Sequence, residues 1–123
     1  MIALIDSCIW IDYFSGKNLS AKEFIEGEHE LIISSINLAE VYRFMLAHKS
    51  EKEAALVIEF MKKVSFSIPV SDEIALKAAE IRYEKKLGLG DAIILATAVL
   101  NEAKVVTSDS DFKNNSNAVF LEK

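Results

Sequence analysis

In 123 residues the chain has one cysteine, one proline and four glycines. The single thiol, Cys8, excludes an intrachain disulfide and points to a reducing, cytoplasmic setting. With so few chain breakers there is no linker, repeat or low-complexity tract. The length fits one compact domain, 1–123, of a size that buries roughly two thirds of the surface its unfolded form exposes. Long hydrophobic runs are missing as well. The longest near-apolar stretch, Ala92 to Leu100, is far shorter than the ~20 residues of a membrane span. No basic segment leading into an apolar core opens the chain, so neither export nor membrane insertion is expected. Positive charge is scarce: 14 Lys and Arg against 19 Asp and Glu give a net charge of −5, the wrong sign for holding nucleic acid by overall charge. His29 and His48 are isolated and read as surface residues, so no His and Cys cluster offers a soft metal site.

What the chain does have is hydrophobic patterning, at 51% hydrophobic content. Ile2 to Ile5 is an apolar run that stops at Asp6-Ser7, as a buried parallel strand feeding a helix would. Helices are expected over 7–14, over Leu19 to Glu26 and over Ile36 to His48, where Leu38, Val41, Tyr42, Met45 and Leu46 recur at steps of three and four. Leu31-Ile32-Ile33 reads as a second strand, and a further helix spans Glu51 to Lys63. Val64 to Val70 alternates apolar and polar residues with Pro69 near its end, which suits an edge strand. Ser71-Asp72-Glu73 is a capping signal for a helix reaching about Lys86. Gly88 and Gly90 interrupt the pattern before Asp91 to Ala103, apolar nearly all round and therefore expected to be buried. Lys104 to Thr107 and Ala118 to Leu121 are the last strands. Alternating strands and helices predict an α/β fold with a mostly parallel sheet covered on both faces.

Against this pattern, acidic residues fall at element ends. Asp6 follows the first strand, Asp91 opens a helix, and Asp109 and Asp111 follow the Lys104 strand. Each of the first three has an ordinary explanation as a cap or turn former. Glu40 does not, because it lies inside a helix beside apolar positions 38, 41, 42 and 45, where a carboxylate needs a metal or a partner such as Arg43. In an open α/β sheet, loops after adjacent strands meet at a crevice, so the acids can converge there. Clustered hard oxygen ligands favour Mg²⁺ or Mn²⁺. Two such ions, about 3.5–4 Å apart, stabilise the attacking and leaving oxygens of a phosphodiester. Asp6, Glu40, Asp91 and Asp109 are then the catalytic metal ligands, and Asp111 is an outer or partial ligand. Ser7 and Thr107 orient carboxylates or bind phosphate. Arg43, Arg82, Lys85 and Lys86, with Lys62 and Lys63, are candidate phosphate contacts as well as ordinary solvated helix residues. Cys8 lacks a nearby His, so it is expected to pack within the first helix instead of acting as a nucleophile.

Asp6-Ser7, Ser35 to Glu40, Gly90-Asp91-Ala92 with Ala96, and Thr107-Ser108-Asp109-Ser110-Asp111-Phe112 resemble, in this order, the four motifs of the PIN-domain family. The likeness is strongest to its small VapC-like toxins and covers nearly the whole chain. It implies a three-layer α/β/α sandwich with a five-stranded parallel sheet, and Mg²⁺- or Mn²⁺-dependent endoribonuclease activity. It also implies a homodimer silenced by a cognate antitoxin that blocks the acidic pocket. Cys8 departs from the pattern, since a small polar residue usually follows the Asp-Ser pair. Two other classes compete. A haloacid-dehalogenase-like phosphatase needs a second Asp at position 8, and a receiver domain needs one after a middle strand, where Ser34-Ser35 stands. A catalytically silent domain that only binds RNA or a protein is the third alternative.

Overall fold

The computed structural model describes residues 1–122. Five strands, β1 (Ile2–Ile5), β2 (Glu30–Ser34), β3 (Phe66–Ile68), β4 (Lys104–Thr107) and β5 (Ala118–Phe120), form one sheet in the order β3-β2-β1-β4-β5. Every pairing is parallel. Six helices cover it: α1 (Ser7–Phe14), α2 (Leu19–Glu26), α3 (Ser35–His48), α4 (Glu51–Val64), α5 (Asp72–Glu84) and α6 (Leu89–Leu100). Among the described residues no helix is long and apolar enough to cross a membrane.

The alternation of side chains along each strand builds two cores. Ala3, Ile5, Leu31, Ile33 and Val106 pack with Ile9, Trp10, Val41, Met45 and Met61 from α1, α3 and α4, with α2 contributing Ala21 and Ile25. Leu4, Ile32 and Val105 pack on the other face with Ile74, Ala78 and Ile81 of α5 and with Ala92 to Ala98 of α6. The result is three layers, α/β/α. Trp10 is fully buried, and its indole N–H donates to the Ile5 carbonyl at 3.1 Å, which locks α1 to the strand it follows.

Several expected boundaries shift. Val64 closes α4 instead of starting a strand, and β3 is only Phe66–Ile68, still at the sheet edge with Phe66 exposed. α5 stops at Glu84, and α6 begins at Leu89 and ends at Leu100. On α3, Tyr42 and Leu46 belong to the periodic stripe yet face outward, while Asn37 joins Val41 and Met45 inside. His29 is half-buried and stacks on Phe24, so it is not the surface residue expected. The strand order rules out a receiver domain, whose order is 2-1-3-4-5.

Candidate active site

The strand order reverses direction between β1 and β4, which pair side by side at the centre of the sheet. Loops leaving their C-terminal ends diverge to opposite faces and open a crevice at this switch point. Asp6 follows β1 there, and Asp109 follows β4. The Asp6 amide donates to the Val106 carbonyl at 3.0 Å, extending the ladder one residue and fixing the Asp6 backbone against β4.

Asp6 is both a cap and a member of the site. Its Oδ1 accepts the Ser7 N–H at 2.8 Å, capping α1, and its Oδ2 accepts the Thr107 hydroxyl at 2.7 Å. Fully buried Thr107 also accepts the Asp109 N–H at 3.0 Å, so one hydroxyl ties Asp6 to the turn carrying Asp109. That turn is set by Asp109 Oδ1 accepting the Asp111 N–H at 2.9 Å and is pinned by Phe112, which is fully buried in the core.

Asp91 is not a cap. α6 starts two residues earlier, its N-cap is Gly88, and no side chain caps it, so the Asp91 carboxylate in the first turn is free for other use. Carboxylate oxygens of Asp91, Asp109 and Asp111 lie within 4.8 Å of one another. Glu40 reaches the same place from the second turn of α3. The residue is exposed overall, yet it borders buried Asn37 and Val41 and its carboxyl is partly desolvated. Its Oε1 accepts the Ser7 hydroxyl at 2.7 Å, and a Cβ built on Gly90 would lie 3.8 Å from its Oε2, which puts the first turn of α6 beside it. The alternative Glu40–Arg43 ion pair does not form. Among the described residues the one ion pair is Lys77–Glu80, so no base neutralises the cluster.

The electrostatic consequence is largest at Asp91, which burial pushes up from 3.8 to about 6, helped by Asp109, Asp6, Asp111 and Glu40. Burial also raises Asp6, opposed by its bonds from Thr107 and Ser7, with Asp109 adding to the rise. Glu40 is raised by burial of its carboxyl, opposed by the Ser7 bond and reinforced by Asp6. Like charges gathered without a counter-charge hold their protons more tightly, and a hard divalent cation is the species that relieves them. The all-oxygen donor set fits Mg²⁺ or Mn²⁺.

Two residues do more at the site than the sequence reading assigned them. Cys8 is not simply packed within α1: its Sγ lies 3.7 Å from Asp6 Oδ2 and 3.6 Å from Thr107 Oγ1, and accepts the Ser108 hydroxyl at 3.4 Å. Asn37 is fully buried and donates from Nδ2 to Ser7 Oγ at 2.9 Å. Its one visible signal was its place three residues after Ser34, where it completes a reciprocal cap of α3. The basic candidates Arg43, Arg82, Lys85 and Lys86 are all exposed. Arg82 Nε donates to the Leu87 carbonyl at 3.2 Å, holding the α5–α6 connection that bears Lys85 and Lys86.

The family model of the PIN domain matches residues 3–117. The chain belongs to the PIN-domain family. This PIN domain is similar, at 33% identity and a TM-score of 0.84 over 98% of this chain and 99% of the other, to a protein in a toxin–antitoxin complex from Klebsiella pneumoniae. It shares its fold with a chain of VapBC2 from Rickettsia felis bound to a promoter DNA fragment, at 22% identity, a TM-score of 0.81 and coverage of 99% and 98%. It also shares it with VapC20 of Mycobacterium tuberculosis, a sarcin–ricin-loop-cleaving toxin, at 15% identity, a TM-score of 0.76 and 98% coverage of each chain. Among curated proteins none matches at a significant level.

Proposed function

We propose that this PIN-domain chain is a divalent-metal-dependent endoribonuclease, the toxin of a type II toxin–antitoxin pair acting in the cytoplasm. The observation that carries the proposal is the convergence of Asp6, Glu40, Asp91, Asp109 and Asp111 at the β1/β4 switch point with no basic partner. Asp6, Glu40, Asp91 and Asp109 are the catalytic carboxylates that hold Mg²⁺ or Mn²⁺, and Asp111 joins them from the rim. When bound, a divalent cation lowers the pKa of a water and offsets charge developing on the phosphodiester oxygens.

The protein's part is positioning. Thr107 donates to Asp6 and Ser7 donates to Glu40, so each bond favours the ionised carboxylate against the upward pull of burial and aims it before substrate arrives. Arg82 ends α5 and Lys85 and Lys86 lie in the α5–α6 connection that leads to the helix of Asp91, and Arg43 lies three residues beyond Glu40. They offer phosphate contacts that the net charge of −5 does not supply elsewhere. The sarcin–ricin-loop activity named for VapC20 supports RNA as the substrate class. The toxin–antitoxin complex named for the Klebsiella pneumoniae neighbour supports an antitoxin partner. A groove of about 450 Å³ between α3 and α4, lined by Leu38, Ala39, Tyr42, Ala55 and Ile58, offers apolar surface to a protein partner, and Leu46 and Leu56 are exposed on the same two helices.

The purified protein with Mn²⁺ should cut single-stranded RNA, and Asp6→Asn or Asp91→Asn should stop the cutting. Cutting that survives either substitution removes the assignment. Induced expression should arrest growth, and co-expression of the cognate antitoxin should relieve the arrest.

A further inference from the structure

A fully buried amide must satisfy both of its ends, and Asn37 does so with two partners that differ in kind. Its Oδ1 accepts the backbone N–H of Ser34 at 2.8 Å. A backbone N–H can only donate, which fixes the amide orientation: the NH₂ end faces Ser7 and donates to Oγ at 2.9 Å. Ser7 Oγ thereby accepts a hydrogen bond from Asn37 and has its own O–H to donate. That O–H donates to Glu40 Oε1 at 2.7 Å. The chain Ser34 N–H, Asn37, Ser7, Glu40 runs in one direction and ends on the Glu40 carboxylate.

We propose that Asn37 is a positioning residue for Glu40, acting through Ser7. Glu40 projects from a helix and would otherwise sample several rotamers in water, whereas Asp6 is held by the ends of two strands. A Ser hydroxyl alone can rotate its proton to Asp6, to a backbone carbonyl or to solvent. With its lone pair engaged by a rigid buried donor, it becomes a dedicated donor to Glu40. The inference rests on the acid cluster being a divalent-cation centre and adds the reason that Glu40 is preorganised in it.

The competing account is that Asn37 merely caps α3 through Ser34. Ser7→Ala separates the two, because it removes the node between Asn37 and Glu40 and leaves the cap intact. Mn²⁺ binding to the whole protein by titration calorimetry, kcat on single-stranded RNA, and melting temperature are measured for wild type, Ser7→Ala, Asn37→Ala, the double variant and Ser7→Thr. Loss of an outer partner of a metal ligand typically weakens binding 10–100-fold. Ser7→Ala and Asn37→Ala should each weaken Mn²⁺ binding by roughly 10-fold with a matching fall in kcat, and the double variant should be no weaker than the worse single one. Ser7→Thr, which keeps the hydroxyl, should restore binding. The relay is overturned if Ser7→Ala binds Mn²⁺ as wild type does. It is also overturned if the two losses multiply, or if Asn37→Ala lowers only the melting temperature. Should Asn37→Ala not fold, wild-type Mn²⁺ binding by Ser7→Ala still overturns the relay. Wild-type protein that binds no Mn²⁺ at millimolar concentration instead overturns the cation centre itself.

Discussion

With divalent ions chelated, Asp91→Asn should make the protein more stable while abolishing its activity. The Asp91 carboxyl is raised from 3.8 to about 6 by burial and by the surrounding carboxylates. Because the folded value exceeds the unfolded one, the native state binds more protons between these values. Stability contributed by the protonated group is present at low pH and is lost as pH rises through about 4 to 6. At about 1.4 kcal/mol per tenfold change, the penalty at neutral pH is bounded near about 3 kcal/mol; partial solvent access to Asp91 screens this to about 1 kcal/mol. For a chain of this size that is a rise of about 3–5 °C in melting temperature. The assay is thermal denaturation followed by circular dichroism in EDTA, at about pH 7.5 and about pH 4, for wild type and Asp91→Asn. The variant should melt higher at the first pH and level with wild type at the second. Saturating Mn²⁺ should reverse the order, since a ligand at 100 times its dissociation constant adds about 2.7 kcal/mol to the protein that binds it. A variant less stable than wild type at both pH values, or a difference indifferent to pH, would refute the idea that uncompensated like charge is stored at this position.

Thr107→Val removes the donor to Asp6 and leaves the Asp109 N–H without its acceptor, so urea denaturation should show a loss of about 1–3 kcal/mol. Because the Thr107 bond holds the Asp6 carboxyl down against burial, the same variant should move the acid limb of the activity profile to higher pH; an unmoved limb would dissociate Thr107 from Asp6 ionisation. Trp10→Ala, in the core between α1 and β1, should cost about 3–5 kcal/mol in equilibrium unfolding, and a loss below about 1 kcal/mol would contradict its placement. Replacing Lys85 and Lys86 together by Ala should weaken RNA binding and flatten the salt dependence by a slope of about 1.4, measured by fluorescence anisotropy in the Asp91→Asn background. An unchanged slope would place the RNA elsewhere on the surface.

The acids were legible in the sequence because they interrupt hydrophobic patterns at places where the pattern itself needs no charge. Asp6 ends an apolar run, and Asp109 follows one. Glu40 was legible because no cap or helix end explains it: beside buried Asn37 and Val41 its carboxyl is raised by burial, and Ser7 holds it. Asn37 was hidden, since an Asn in the first turn of a helix is ordinary and its burial depends on α1 packing over it. The apolar periodicity of α3 likewise overstated Tyr42 and Leu46, because a stripe marks which residues can be buried and not which neighbour arrives to bury them. Cys8 was read from its own helix, where nothing reveals that Thr107 and Ser108 come within contact of it.

Local periodicity and side-chain chemistry determined the alternation of strands and helices, the parallel sheet, and the supply of hard oxygen ligands, because these properties reside in neighbouring residues. Tertiary structure alone decided that β4 lies against β1, that their loops part at one crevice, and that Asp91, Asp109 and Asp111 come within ligand distance of one another. The physical reason is that strand order and helix docking are set by which distant surfaces exclude water together, and a linear pattern carries no record of that choice.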